Sequence, residues 1–139
     1  TSSSTRSSSP PPPAPSSHPP DSMGHADVVR EIVESCWADE AGRRRLPDLL
    51  APDYVHHTPR GDVGVEGLLT GLAWVAQRLV SPRYVVEHVV VDGDLAAAYL
   101  VWSAGLPDGG SVEGRGAYHC RFRDGLVLED WDVFHPMPS

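Results

Sequence analysis

From His25 to Glu40 the apolar side chains Val28, Val29, Ile32, Val33, Cys36 and Trp37 recur at three- and four-residue spacing. That rhythm predicts one helix with one buried face. Arg43 to Leu50 reads as a second, short helix, interrupted early by Pro47 and broken by Ala51-Pro52-Asp53. Asp53 to Pro59 is too short for a helix and ends at proline, so it is expected to be extended, and Gly61 to Gly64 reads as a turn. A third helix is predicted over Val65 to Val80, where Leu68, Leu69, Leu72, Trp74, Val75, Leu79 and Val80 form a broad apolar surface.

After Ser81-Pro82 the pattern changes to period two with β-branched residues. Arg83–Val91 and Leu95–Ala104 read as strands joined by an Asp92-Gly93-Asp94 hairpin turn. The glycine-rich loop Leu106 to Gly110 leads to a long strand, Val112–Arg123, in which Gly114 and Gly116 suggest a bulge or bend. Asp124-Gly125 turns the chain into a last strand, Leu126–Phe134. Helices first and an antiparallel meander afterwards predict an α+β domain, three N-terminal helices on one face of a curved sheet of about four strands.

Residues 1–22 are almost entirely Ser and Pro. With nothing apolar to bury, that stretch is expected to be disordered, the domain proper being 23–139. It has no apolar core of a signal peptide. Met23 directly after it suggests a vector-derived or over-long start, and a polyproline ligand is the functional alternative. The net charge is −8. An acidic domain with scattered arginines repels phosphate backbones, which argues against nucleic acid. No apolar run approaches the ~20 residues needed to span a bilayer. Cys36 and Cys120, each in apolar surroundings, read as buried free thiols in a reducing compartment, hence a cytoplasmic location. The chain has no lysine. A lysine Schiff base is therefore excluded, and carbon–carbon chemistry would run through proton transfer and enolate stabilisation.

Tyr54-Val55-His56-His57-Thr58-Pro59, followed by Gly64-Val65-Glu66-Gly67-Leu68, resembles the Y-x-x-H-N-P … G-x-E-G-L signature of SnoaL-like proteins. The Asp92-Gly93-Asp94 turn resembles their E-G-D hairpin. Arg121-Phe122-Arg123-Asp124-Gly125-Leu126-Val127-Leu128-Glu129-Asp130-Trp131-Asp132-Val133 resembles their R-F-x-D-G-K-I-x-E-H-W-D-V ending. The resemblance implies the cone of the nuclear transport factor 2-like fold, with three helices closing over a curved sheet and a pocket between them. It also implies a homodimer through the exposed sheet face. Members include polyketide cyclases that close rings by intramolecular aldol condensation. Two departures stand out: Asp130 replaces the His of E-H-W, and His135 stands four residues after Trp131, where ring-closing cyclases carry an acid/base Asp. Isomerases, epoxide hydrolases, dehydratases and non-catalytic binders share the scaffold, so fold does not assign the reaction.

Aldol ring closure needs a base beside the acidic C–H and a donor at the developing enolate oxygen. On a regular last strand Glu129, Trp131, Val133 and His135 share one face and Asp130, Asp132 and Phe134 the other. Trp131 and His135 would then line the pocket, with Asp132 pointing away unless a bulge intervenes. His135 is accordingly the first acid/base candidate and Asp132 the second; an exposed C-terminal His and a surface carboxylate are their bland readings. His57 is a third candidate by resemblance alone, whereas His56 is expected to face solvent. Tyr54, Trp102, Tyr118, His119 and Trp131 are candidate substrate-binding residues or, equally, core and sheet-face residues. No H-x-H, H-x-x-x-H or C-x-x-C spacing suggests a metal, and no G-x-S-x-G elbow a serine hydrolase. The leading expectation is a cofactor-independent cyclase or isomerase acting on an apolar, carbonyl-bearing small-molecule substrate. The rivals are a non-catalytic ligand-binding or dimerising module, and an epoxide hydrolase or dehydratase.

Overall fold

A computed structural model describes residues 24–136, and the Ser/Pro-rich stretch expected to be disordered lies outside the described residues. Helix α1 (His25–Glu31) runs into a π-helical turn, Ile32–Cys36, that ends before Trp37. It is shorter than the periodicity predicts. Its apolar face, Val28, Val29, Ile32, Val33 and Cys36, is fully sequestered. Helix α2 (Glu40–Arg45) is capped by Asp39, whose Oδ1 accepts from Gly42 N–H at 2.7 Å. Gly42 lies against the preceding helical turn so closely that a Cβ there would sit 2.0 Å from the Ser35 carbonyl oxygen. Pro47 shortens this second helix as well: it ends at Arg45 and gives way to a 3-10 turn over Leu46–Leu49. Helix α3 spans Val65–Ala76, stopping short of Val80.

The sheet has six strands rather than about four, in the spatial order β2 (Gly61–Val63), β1 (Leu50–Thr58), β6 (Leu126–Pro136), β5 (Ser111–Arg123), β4 (Leu95–Gly105) and β3 (Val80–Asp92). Strands β3, β4, β5 and β6 form the expected antiparallel meander. The extended segment before α3 is a full strand, β1, hairpinned to the short β2. β1 runs parallel to β6, so the sheet is mixed. The tight turns behave as their residues dictate: Gly93, Asp124 and Gly125 all have positive φ, the pair Asp124-Gly125 fitting a two-residue hairpin.

Two ladder irregularities matter. Between Val86 and His88 the β3–β4 register shifts. At that point Glu34 accepts from Val86 N–H at 2.8 Å and Arg30 donates to the Val86 carbonyl at 3.3 Å, fastening α1 and its π turn to β3. The second shift lies between Arg121 and Phe122, where Phe122 pairs with Val127 but Arg121 with Glu129. Leu128 is thus an extra residue, a β-bulge. Gly114 and Gly116 mark no bulge, since β4 and β5 pair through them in continuous register. Gly116 instead makes room: a Cβ there would fall 2.9 Å from the Phe134 ring.

The core lies between the helices and the concave face of the sheet, with Trp37, Tyr84, Leu100, Tyr118, Phe122 and Val127 among its members. Cys36 and Cys120 are buried and free, and burial pushes both thiols up to about 12, which keeps them protonated and unreactive. Among the described residues no helix is long and apolar enough to cross a membrane.

Candidate functional site

The Leu128 bulge decides which side chains of β6 face inward. A regular hairpin from Asp124-Gly125 would set Glu129 opposite Cys120 and Trp131 opposite Tyr118, on the concave face. One inserted residue moves every later side chain to the other face. Asp130 now pairs with Cys120 and Asp132 with Tyr118, while Trp131 faces outward opposite His119 and His135 opposite Arg115. The expectation that Trp131 and His135 line the pocket is thereby reversed.

Asp130 is 3% exposed and accepts three side-chain donors. The Tyr54 hydroxyl reaches both carboxylate oxygens at 2.7 and 2.8 Å, the Tyr118 hydroxyl reaches Oδ2 at 2.7 Å, and His56 Nδ1 reaches Oδ1 at 2.7 Å. An ionised carboxylate only accepts, so the His56 proton sits on Nδ1. The opposite ring nitrogen, Nε2, lies 3.8 Å from Asp132 Oδ2. His56 therefore points inward, bridging two carboxylates, because β1 pairs in parallel with β6 and sets His56 beside Asp130. Its expected solvent exposure is corrected.

Burial alone would lower the His56 imidazole, but the Asp130 hydrogen bond and charge, with the Asp132 charge, turn the net shift upward. Burial pushes the Asp132 carboxyl up; the His56 charge opposes this and Asp130 adds to it. The Tyr54 and Tyr118 phenols are driven up by burial and then by the Asp130 charge, so both remain donors. Asp132 stands at the wall of a cavity of about 260 Å³ lined by Trp37, Leu72, Val75, Leu79, Tyr84, Trp102 and Phe134. Phe134 meets Trp37 and Trp102 edge-on, at ring separations of 5.6 and 6.5 Å. Larger grooves lie along Arg83, Ser103 and Glu113 on β3, β4 and β5, with neither Asp130 nor Asp132 in their walls. Among the described residues no cluster of His, Cys, Asp or Glu is arranged to hold a metal ion.

Of the sequence candidates, Asp132 and Trp102 line the cavity, and Tyr54 and Tyr118 sit behind it holding Asp130. His57, His119 and Trp131 lie on the convex face. There Trp131 is stacked between His57 at 4.8 Å and His119 at 4.9 Å. His57 Nδ1 contacts Asp62 at 2.9 Å and Nε2 contacts Glu129 at 2.8 Å. Sequence reasoning missed His56, Asp130 and Tyr84. The signal for the first two was present: a His beside the family-motif His, and a carboxylate where the family carries another His.

The outer bridge should contribute little. The Glu129 contact, then Asp62, raises the His57 imidazole, and the same contact, then Arg121, lowers the Glu129 carboxyl. The His57 contribution is full below its ordinary value of about 6.5 and lost as pH rises through the raised one. The Glu129 contribution is full above about 4.3 and lost as pH falls through the lowered one. Glu129→Gln is expected to cost at most about 1 kcal/mol, most visibly between about pH 4.5 and 6.5. Urea midpoints at about pH 5.5 and 8.5 check this: an equal or larger loss at the higher pH would contradict it.

The family model for the SnoaL-like domain matches residues 29–129. No curated protein matches the chain significantly. Solved structures similar to it include a SnoaL-like protein from Jannaschia sp. CCS1, provisionally named a polyketide cyclase (19% identity, 78% of this chain and 83% of that one, TM-score 0.71). IdmH from Streptomyces antibioticus, also provisionally a polyketide cyclase, is 21% identical over 78% and 90% of the two chains, with TM-score 0.69. AclR from Streptomyces galilaeus, provisionally a hydroxylase, is 22% identical over 79% and 74%, with TM-score 0.68. At these identities the likeness establishes the fold. The match to the family model, running over residues 29–129 from α1 to the start of β6, makes the chain a member of the SnoaL-like family.

Proposed function

We propose that this protein is a cofactor-independent cyclase or isomerase that moves a proton on an apolar, carbonyl-bearing small molecule held in the cone, with Asp132 as the acid/base. The observation that carries the reading is a half-buried carboxylate facing an aromatic and aliphatic cavity, backed by an imidazole that is itself anchored on a second buried carboxylate. Desolvation raises the proton affinity of Asp132, so it is a stronger base than a surface carboxylate.

In a ring closure the Asp132 carboxylate takes the proton from carbon next to a carbonyl. The C–H electron pair becomes the enolate, with charge on oxygen. The enolate carbon attacks a second carbonyl of the same molecule, forming the C–C bond, and protonated Asp132 returns its proton to the new alkoxide. Isomerisation uses the first half of this sequence and returns the proton to another carbon. His56, fixed by Asp130, limits the charge repulsion that an ionised Asp132 would feel from Asp130. The apolar wall suits a planar, hydrophobic substrate of the polyketide type, consistent with the names of the structural relatives.

Solvent deuterium uptake into 2-tetralone, a small ketone with acidic C–H bonds, tests the reading. The protein is expected to accelerate uptake over buffer. Binding of the ketone in the cavity with no acceleration would instead favour the ligand-binding module.

The convex face carries Val85, Val90 and Val133 exposed, Val133 at 66%. This supports a homodimer through that face. Val133→Asp is expected to shift the protein to monomer in sedimentation velocity; an unchanged sedimentation coefficient would place any dimer contact elsewhere.

A further inference from the structure

The cavity also holds a polar group that the proposed proton transfer has not used. Of the four tyrosines, three have hydroxyl partners within the chain. Tyr54 and Tyr118 donate to Asp130, and the Tyr99 hydroxyl accepts from Arg115 at 2.8 Å. Tyr84 has none among the described residues, although its side chain is buried and lines the same cavity as Asp132. Buried tyrosines normally find a partner, because an unmet hydroxyl is costly. The Trp102 indole nitrogen also lacks a partner but is sealed off from the accessible space, whereas the Tyr84 hydroxyl is not among the sealed atoms. The Tyr84 side chain forms part of the wall of the cavity that Asp132 also lines.

A second unpartnered polar group lies on α2. Arg43 on α2 has a buried Nη1 with no hydrogen-bond partner. Burial pushes the Tyr84 phenol up and the Arg43 charge opposes it, with the net direction upward. Tyr84 therefore keeps its proton and serves as a donor, in the field of a cation that favours negative charge at its oxygen or just beyond it. A carbonyl oxygen turning into an enolate oxygen is such a charge, and a donor aimed at it lowers the barrier.

We propose that the Tyr84 hydroxyl donates the hydrogen bond to the substrate's carbonyl oxygen, facing the Asp132 base, and that Arg43 is a positioning residue that strengthens this bond. The proposal rests on the proton-transfer reading and adds to it. It also sets the substrate class: a ketone with its oxygen toward β3 and an acidic C–H toward β6.

The test uses full-length protein and carbonyl-labelled 2-tetralone, read by isotope-edited infrared spectroscopy and by deuterium uptake. In wild type the bound carbonyl band is expected at lower frequency than in an apolar solvent. Tyr84→Phe should return it to the apolar-solvent position and slow uptake by about 10²–10³-fold. The thermal midpoint should hold, because the lost hydroxyl had no protein partner. Arg43→Gln should shrink the band displacement without abolishing it, a change that mere loosening of α2 would not produce. A displaced band and wild-type uptake in Tyr84→Phe, with uptake lost in Asp132→Asn, would overturn the role of Tyr84 and leave that of Asp132 standing. A displaced band that vanishes in Tyr84→Phe, with no uptake in any form of the protein, would support Tyr84 as the carbonyl donor and sink the proton-transfer reading.

Discussion

Replacing Asp132 by asparagine is expected to lower deuterium uptake into 2-tetralone by about 10²–10⁴-fold, the usual effect of removing a positioned general base. Asparagine keeps the shape of the side chain and its place opposite Tyr118, so affinity for the ketone should change by no more than a few-fold. The wild-type rate should climb with pH on the acidic side, because Asp132 acts as a base only when ionised. Its upward shift places that limb above the ordinary carboxylate value of about 3.9. The stability effect has the opposite tendency. A carboxyl with a raised folded-state pKa binds its proton more tightly folded than unfolded, so its contribution to stability falls as pH rises between the two values. At neutral pH the variant should be at least as stable as wild type, since a charge leaves an apolar wall. His135→Ala, on the convex face, should leave uptake within about two-fold. If His135→Ala lost activity on the larger scale and Asp132→Asn did not, the bulge at Leu128 would be misplaced and the faces of β6 exchanged.

That bulge also marks the limit of what the sequence made legible. Helix and strand periods reveal where elements lie, and the pairing of Asp130, Asp132 and Phe134 on one face of β6 against Trp131 and His135 on the other follows from period two. Which face is inward depends on whether Leu128 pairs with Arg121 or is skipped. Arg121, Leu128 and Glu129 carry no turn residue or glycine that announces the skip. It is favoured by tertiary partners: Arg121 meets Glu129 at 3.1 Å and Asp94 at 3.2 Å on the outside, while Asp130 gains its three donors inside. β1 was hard to see as a strand for a related reason. Pro52 and two adjacent histidines dilute its alternation, and β6, the long strand that pairs with it, lies about seventy residues away, as the Tyr54–Asp130 separation of 76 shows. His56 could therefore not be assigned to the interior before β6 was placed beside it.

Asp130→Ala is expected to destabilise the protein by about 3–5 kcal/mol, the range seen when one member of a buried, hydrogen-bonded charge cluster is removed. Alanine leaves the Tyr54 and Tyr118 hydroxyls and the His56 Nδ1 proton without an acceptor in a region closed to solvent. Each such orphan costs about 1–3 kcal/mol unless water enters. Asp130→Asn should cost less, since one acceptor oxygen remains, yet its amide group would face hydroxyls that are already donating. The functional consequence follows from the same contacts. Without Asp130, His56 loses the bond that fixes its tautomer and orientation, so uptake should fall even at temperatures where the variant stays folded. Chemical denaturation near pH 7, with circular dichroism and tyrosine absorbance as separate probes, measures the first effect. A loss below about 1 kcal/mol for Asp130→Ala would mean that the three donors find other partners, and that the carboxylate does not organise the junction between β1, β5 and β6.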